Sequence, residues 1–189
     1  MRIAISGSHR TGKSTLVDEL STRLPGYTTI DEPYHVMTED GYDFCHPPSA
    51  EDYQAQLEHA IESLNEAEPN ALFDRCPVDF LGYISVHEDA DSLNLDAWFP
   101  RVRVAMQTID LIVFVPVEVR DRIAFSPTDD GEEFRAAVDE ELRETLLDDT
   151  LDLAVEVLEV EGVTGRRVAT VMERIGEVSR SPKISTSHP

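Results

Sequence analysis

The stretch that decides the fold lies close to the amino terminus and reads Gly7-Ser8-His9-Arg10-Thr11-Gly12-Lys13-Ser14-Thr15. It fits the pattern GxxxxGK[ST], a glycine-rich loop whose backbone N–H groups surround the phosphates of a nucleotide. An apolar run at residues 3–5 precedes the loop, and the helix-like run at residues 16–20 follows it, so the order is strand, loop and helix. The sequence therefore predicts a nucleoside triphosphate site formed by residues 7–15.

The individual loop residues have separate chemical tasks. Gly7 and Gly12 allow backbone conformations that a Cβ would block. Lys13 is one of only two lysines in the chain, and it occupies the position that reaches the β- and γ-phosphates. The Ser14 hydroxyl is placed to ligate Mg²⁺. The variable positions 9 and 10 belong to the predicted nucleotide-binding loop, but we assign them no catalytic role.

Length and composition predict one domain. The 189 residues, 41% of them apolar, suffice for one buried core, and no linker-like stretch divides them. We expect a domain over residues 1–178 and a polar, disordered tail over residues 179–189. The sequence has no signal-like segment and no run that approaches the length of a membrane span, which predicts a cytoplasmic protein without a membrane partner. Cys45 and Cys76 fit neither a disulfide framework nor a zinc site.

The formal net charge of −22 restricts the partners. Binding to nucleic acid requires clustered Lys and Arg, so nucleic acid is not an expected partner. An incoming polyphosphate has to approach against this charge. The few basic residues near the site, together with Mg²⁺, must therefore provide the attraction.

Apolar patterning predicts strands alternating with helices. The predicted strands cover residues 3–6, 27–31, 70–74, 111–115 and 157–160. The predicted helices cover residues 14–24, about 20 residues from Ser49, and residues 78–87, 95–109, 132–153 and 166–178. This alternation predicts an α/β protein with a five-stranded parallel sheet and helices on both faces. Ligands of such sheets bind at the carboxyl ends of the strands, which makes the residues after each strand site candidates.

Four features together resemble the nucleoside and nucleotide kinase branch of P-loop proteins. They are the GSHRTGKST loop (a Walker A sequence), Asp31-Glu32-Pro33 after the second strand, FDRCPVDF at residues 73–80, and two arginines soon after the fourth strand. The sequence is similar to deoxynucleoside kinases and thymidylate kinase, and also to bacterial AAA-type ATP-binding proteins related to the ribosylnicotinamide kinase domain. The resemblance covers roughly residues 1–176. It implies the P-loop NTPase fold, with ATP as donor, GTP as the alternative donor, and Mg²⁺.

Glu32 is the predicted catalytic base or binder of a substrate hydroxyl. In the deoxynucleoside kinases that this stretch resembles, a glutamate after the second strand accepts the proton of a sugar hydroxyl. A carboxylate opposite the phosphate loop can orient a hydroxyl for in-line attack on the γ-phosphorus. Asp31 competes for this role, and either acid could instead only cap the turn before Pro33.

Asp74 and Arg75 end the third predicted strand beside the phosphate loop. Asp74 can hold Mg²⁺ or a Mg²⁺-bound water, although it could also be the N-cap of the following helix. Arg75 is expected to bind the acceptor or the transferring phosphoryl group, in both a catalytic and a substrate-binding role. Asp79 is expected to lie on the surface of the helix. Cys76 departs from the deoxynucleoside kinase pattern, which has serine there.

The resemblance implies further site residues. Arg120 and Arg122 stand where these kinases carry catalytic lid arginines, although neighbouring acids could pair with them instead, and Arg135 is a third candidate. Gln54 and Gln56 lie in the helix from which a glutamine of these kinases reads the nucleobase of the substrate, and Gln54 is the residue to which the resemblance assigns this role. Residues 162–166 stand where adenine binds. The loop over residues 34–48 is long enough to shape an acceptor pocket.

Two functions follow from these features. The first is a kinase that moves the γ-phosphate of ATP to a small acceptor, a nucleoside or nucleotide, working as a monomer or homodimer. The alternative is a P-loop ATPase, GTPase or nucleotide-sensing protein without a small-molecule acceptor. The acid-proline pair and the acceptor-sized loop favour the kinase, as does the absence of the guanine-reading NKxD motif.

Overall fold

The computed structural model describes residues 1–118 and 131–180. Its strands are β1 (Arg2–Ser6), β2 (Thr28–Ile30), β3 (Ala71–Asp74), β4 (Leu111–Phe114) and β5 (Glu156–Glu159). Its α-helices are α1 (Lys13–Ser21), α2 (Pro33–Glu39), α3 (Ala50–Glu66), α4 (Pro77–Ser85), α5 (Phe99–Met106), α6 (Gly131–Leu147) and α7 (Thr164–Arg180). Two 3-10 helices, Ala90–Ser92 and Leu95–Ala97, precede α5.

The five strands form one parallel sheet in the order β2-β3-β1-β4-β5. In the register of the sheet Ile5 lies beside Asp74 on one side and beside Val113 on the other. Because all strands run the same way, the segments that follow β1, β2, β3, β4 and β5 meet at one edge. The predicted five-stranded α/β fold is confirmed, and it brings the predicted site segments to that edge.

Alternation along the strands divides the core into two layers. Ile3 and Ile5 of β1 pack on one face, against α1 and α7, whereas Ala4 between them belongs to the other face. That second face is covered by α3, α4, α5 and α6. Residues 3–6 of the central strand β1 are fully buried, as expected for a parallel sheet covered on both sides. The phosphate loop therefore begins at the end of a strand that is enclosed on both faces.

Several boundaries differ from the sequence predictions. Residues 34–48 are not a continuous loop, because α2 occupies their first part, with Pro33 in its first turn. Pro100 does not interrupt a helix, since it lies in the first turn of α5, where no backbone N–H is needed. The predicted N-terminus of α3 is confirmed by a reciprocal capping box between Ser49 and Asp52.

The carboxyl-terminal helices also differ in length. Helix α6 ends at Leu147, earlier than predicted, and Asp149 and Asp152 adopt positive φ angles of 50° and 53° after it. Helix α7 continues to Arg180, so residues 179 and 180 are helical instead of belonging to a disordered tail. The rest of the predicted tail, residues 181–189, lies outside the described residues. In the part of the chain that the structure describes, no helix is long and apolar enough to cross a membrane.

Candidate functional site

The two glycines of the phosphate loop are required by its backbone. Gly7 has a φ of 146°, and a Cβ there would lie 2.3 Å from the carbonyl oxygen of Val115. Gly12 has a φ of 87° and precedes the first residue of α1. Residues that carry a Cβ rarely adopt such backbone conformations. The loop therefore leads directly into α1. The first N–H groups of a helix have no partner within the helix, and they favour binding of an anion.

Lys13 lies within the loop. Its side chain is buried, and Nζ donates a hydrogen bond to the Ser8 carbonyl oxygen at 2.7 Å. Burial is the largest influence on the ammonium group and the charge of Arg75 is the second, and together they lower the pKa of Lys13 to about 7. Asp79, Glu32 and Asp74 favour the charged form, but they do not offset the cost of burying the ammonium group.

The outward carbonyl groups of the loop are bound by arginines from three separate elements. The pairs are the Gly7 oxygen with Arg75 at 3.0 Å, the His9 oxygen with Arg135 at 2.8 Å and the Thr11 oxygen with Arg167 at 2.7 Å. In a trans peptide the C=O of one residue and the N–H of the next point in opposite directions. Each arginine therefore directs the following N–H group away from itself, toward the interior of the loop.

Asp74 is the residue of this site that could hold a metal ion. It is the last residue of β3, it is buried, and its Oδ1 has no hydrogen-bond partner in the part of the chain that the structure describes. Burial raises the pKa of Asp74, an effect that a hydrogen bond from Ser14 opposes. Cys76, not Asp74, is the N-cap residue of α4, so the alternative assignment of Asp74 as a cap is wrong. A serine hydroxyl beside an unpaired carboxylate oxygen is an oxygen-only donor set that fits Mg²⁺.

Arg75 joins the phosphate loop to Glu32, at the start of α2. Its Nε donates to Glu32 Oε1 at 2.5 Å, while its Nη1 donates to the Gly7 oxygen. Its backbone has a φ of 81°, which is unusual for a residue other than glycine and is typical of functional sites. Burial opposes the ionisation of Glu32, but the charges of Arg75 and Lys13 outweigh it, so the pKa of Glu32 is lowered.

Asp79 corrects one prediction from the sequence. It was expected on the surface of α4, but its side chain is fully buried. Its Oδ1 accepts from the Gly7 N–H at 2.9 Å, and its Oδ2 accepts from the Cys76 N–H at 2.9 Å. Arg75 Nη1 lies 3.4 Å from Oδ1 and supplies the opposite charge. Asp79 therefore fixes the first turn of α4 to the start of the phosphate loop.

A cavity of about 1060 Å³ opens beside Glu32 and Arg75. It is lined by residues of the phosphate loop, α2, α3, α4 and α6 and by the segment before α3: His9, Arg10, Glu32, Tyr34, His35, His46, Pro47, Pro48, Tyr53, Gln56, Arg75, Phe80, Tyr83, Val86, His87, Glu88, Gly131 and Phe134. Its volume is that of a pocket for a small organic molecule.

Aromatic side chains dominate one wall of the cavity. The rings of Tyr53 and Tyr83 stack with centroids 4.9 Å apart, and Phe134 of α6 lies 5.9 Å from Tyr83. Gln56 contributes an amide to the lining. The predicted base reader, Gln54, is not part of the lining, because helical residues two positions apart point in nearly opposite directions.

The variable loop positions also face the cavity. His9 and Arg10 both line it, and His9 Nδ1 lies 3.2 Å from the Tyr83 hydroxyl. Burial, followed by the charge of Arg75, lowers the pKa of His9 to about 4. These residues thus border the cavity as well as belonging to the phosphate loop.

Asp31, the acid that competes with Glu32 in the sequence prediction, does not line the cavity. Asp31 is exposed, while Glu32 is half-buried, so the structure favours Glu32 of the two competing acids. Glu32 is the N-cap residue of α2 but makes no side-chain cap bond. The predicted lid arginines, Arg120 and Arg122, lie outside the described residues.

Two contributors were missed in the sequence: Asp79 and Arg167. Gln56, named beside Gln54 from the sequence, is the glutamine that lines the cavity. The position of Asp79 one turn after Arg75 was a visible signal. Nothing local marks Arg167, because its partner Thr11 is 156 residues away in the chain.

Comparison with known protein families identifies a match across most of the chain. The AAA domain family matches residues 2–167. The chain belongs to this AAA domain family. No curated protein sequence matches it.

Solved structures similar to this AAA domain have low sequence identity. Deoxyadenosine kinase from M. mycoides with the products dCMP and dCDP is 19% identical, with a TM-score of 0.66 over 94% of this chain and 100% of that one. NadR in complex with NR is 19% identical, with a TM-score of 0.68 over 95% of this chain and 51% of NadR. Thymidylate kinase from Candida albicans is 15% identical, with a TM-score of 0.62 over 94% of this chain and 91% of that one. The AAA domain thus has the P-loop fold of nucleoside and nucleotide kinases.

Replacement of Asp79 by asparagine is expected to destabilise the protein. Asp79→Asn places an amide NH₂ against a backbone N–H and leaves Arg75 without one counter-charge, at a cost of about 3 kcal/mol. Urea unfolding followed by circular dichroism measures this change. The control is Asp18→Asn, an exposed acid on α1. Equal stability of the two variants would contradict the inference that Asp79 holds the first turn of α4 to the start of the phosphate loop.

Proposed function

We propose that this AAA domain is an ATP- and Mg²⁺-dependent kinase that phosphorylates a hydroxyl group of a nucleoside-type small molecule bound in the cavity. The observation that carries this proposal is the position of Glu32. Its carboxylate lies between the cavity and the phosphate loop and is held there by Arg75 at 2.5 Å. A protein that only hydrolyses or senses a nucleotide has no need for a carboxylate facing an aromatic-walled cavity.

The bonds of Arg75 favour a hydroxyl over a phosphate as the acceptor group. Two of its nitrogens already donate to Glu32 and to the Gly7 oxygen, and the third, Nη2, lies 3.5 Å from the Tyr83 hydroxyl. A bidentate grip on an acceptor phosphate would require breaking these contacts. The second carboxylate oxygen of Glu32, which accepts no hydrogen bond from the described residues, is instead suited to a neutral hydroxyl.

The lowered pKa of Glu32 fits a positioning role. In a loose phosphoryl-transfer transition state the attacking hydroxyl needs orientation more than early removal of its proton. The bond from the β-phosphate oxygen to the γ-phosphorus breaks as the bond from the acceptor oxygen forms. The acceptor proton then passes to the Glu32 carboxylate and on to solvent.

The donor half of the site is proposed to consist of the loop, Lys13, Ser14 and Asp74. Lys13 and the loop N–H groups neutralise the β- and γ-phosphates. Ser14 and Asp74 would hold Mg²⁺, which supplies charge neutralisation of the transferring group when bound. Among residues 1–118 and 131–180 no group of three or more metal-binding His, Cys, Asp or Glu occurs, which accords with a metal that relies on phosphate oxygens for further ligands.

The neighbouring structures support a nucleoside-type acceptor. The M. mycoides kinase is named for deoxyadenosine and holds dCMP, and NadR holds NR. The aromatic wall and the Gln56 amide of this chain suit a flat ring with hydrogen-bonding edges. ATP over GTP as donor, a cytoplasmic location and a monomeric or homodimeric state remain predictions from the sequence.

An acceptor panel tests the proposed function. The protein is incubated with Mg-ATP and with nucleosides, nucleotides and ribosylnicotinamide, and ADP release is followed by a coupled assay. We expect release to rise well above background with at least one phosphate-free acceptor. Hydrolysis that no acceptor changes would instead support the ATPase or nucleotide-sensing alternative.

Replacement of Glu32 and of Asp31, one at a time, tests which of the two acids binds the acceptor hydroxyl. Glu32→Gln is expected to bind ATP normally and to lower acceptor-dependent turnover about 100-fold, since the hydroxyl loses its charged acceptor. Asp31→Asn, which alters the adjacent exposed acid, should keep nearly full turnover. The reverse pattern would transfer the role to Asp31.

The pKa of Lys13 predicts a pH dependence of ATP binding. In the free protein its pKa is about 7, so the ammonium loses its proton as the pH rises above that value. A bound triphosphate favours the charged form, and binding above pH 7 must therefore take up a proton. We expect the affinity for ATP to fall about tenfold per pH unit between pH 7.5 and 9. Calorimetry in buffers of different ionisation enthalpy measures the proton uptake, and a flat affinity without uptake would contradict it.

A further inference from the structure

Arg167 links three loops at the carboxyl edge of the sheet. Its Nη1 donates to the Thr11 carbonyl of the phosphate loop at 2.7 Å, and its Nη2 donates to Glu118 Oε1 at 2.7 Å. The same oxygen of Glu118 accepts from the Gly162 N–H at 2.6 Å. The phosphate loop is thereby tied to the segments that follow β4 and β5.

The position of Arg167 is not explained by stability alone. Its guanidinium is largely buried, and its Nε has no hydrogen-bond acceptor among the residues that the structure describes, which costs free energy. A hydrophobic residue of similar size would avoid this cost. Gly12 also approaches it closely, since a Cβ at Gly12 would lie 3.3 Å from Nη1. We therefore attribute to Arg167 a role that depends on the directions of its hydrogen bonds to the Thr11 carbonyl and to Glu118.

That task follows from the planar peptide between Thr11 and Gly12. Because Arg167 holds the Thr11 carbonyl, the Gly12 N–H must point the opposite way, into the phosphate-binding interior. The Gly12 φ of 87° belongs to a region where glycine has wide freedom, so the local sequence does not fix this orientation. An external bond is needed to keep the N–H in place before the ligand arrives.

We propose that Arg167, oriented by Glu118, is a positioning residue that preorganises the phosphate loop for the donor triphosphate. This inference rests on the proposed function, because it assumes that the loop binds a triphosphate. In this role Arg167 acts on the phosphate loop and does not contact the nucleobase. Loss of the side chain should therefore weaken binding of any triphosphate, whether or not it carries a nucleoside.

The test compares ATP with inorganic tripolyphosphate, each with Mg²⁺, by calorimetric titration of the whole chain. Arg167→Met should lose about tenfold in affinity for both ligands, as expected when a charged hydrogen bond that orders the site is lost. Arg167→Lys keeps the charge but can reach only one of the two partners, so it should lose less. The control is Arg174→Met, which removes another arginine of α7 with its Glu156 ion pair, and it should bind as the wild type does.

The outcomes distinguish the two proposals. If the wild type binds ATP and tripolyphosphate while Arg167→Met binds both equally well, the positioning role is overturned and the proposed function stands. Weaker binding of ATP alone also overturns it, because the side chain would then act on the nucleoside. If Arg167→Met does not fold, Arg167→Lys decides, and wild-type affinity in that variant overturns the inference. A wild type that binds neither ligand overturns both proposals.

Discussion

The carbonyl groups on the outside of the phosphate loop are bound by cations, and the rest of the site depends on this constraint. A glycine-rich loop without such bonds has many accessible conformations, and a ligand would have to order it. Here Arg75 at the end of β3, Arg135 of α6 and Arg167 of α7 each fix one carbonyl. The parallel sheet and its flanking helices bring these distant residues to one short segment. Site preorganisation is thus a property of the whole fold.

This arrangement concentrates several cations around one loop of an acidic molecule. The chain has 38 acidic and 16 basic residues, yet buried arginines and Lys13 surround the loop. Surface charges are screened over about 8 Å at physiological ionic strength, whereas buried charges are screened much less. A triphosphate that reaches the loop therefore experiences mainly the nearby cations. Burial, followed by the charge of Arg75, lowers the pKa of Lys13, and a bound polyanion would favour its charged form.

The parts of the structure that were predictable from the sequence are those with a local signal. The loop pattern, the apolar strands and the α3 capping box each depend on residues close together in the chain, and the structure contains all three. Helix α2 was missed because Pro33 reads as the end of a strand, while it also suits the first turn of a helix. Asp79 was misassigned because its main partner, the Gly7 N–H, is 72 residues away. Long-range partners of this kind leave no periodic pattern.

Arg75 explains how the two halves of the proposed site keep their relative position. Its backbone N–H donates to Ile5 of β1, and its side chain donates to both the Gly7 oxygen and Glu32. In-line transfer requires the acceptor oxygen and the γ-phosphorus to be placed within a few tenths of an ångström. A lysine has one flexible ammonium group and could not fix two directions at once, whereas the planar guanidinium does so. The carboxylate on the acceptor side is therefore positioned by the same rigid group that shapes the donor loop. Any displacement of Arg75 would disturb both halves together.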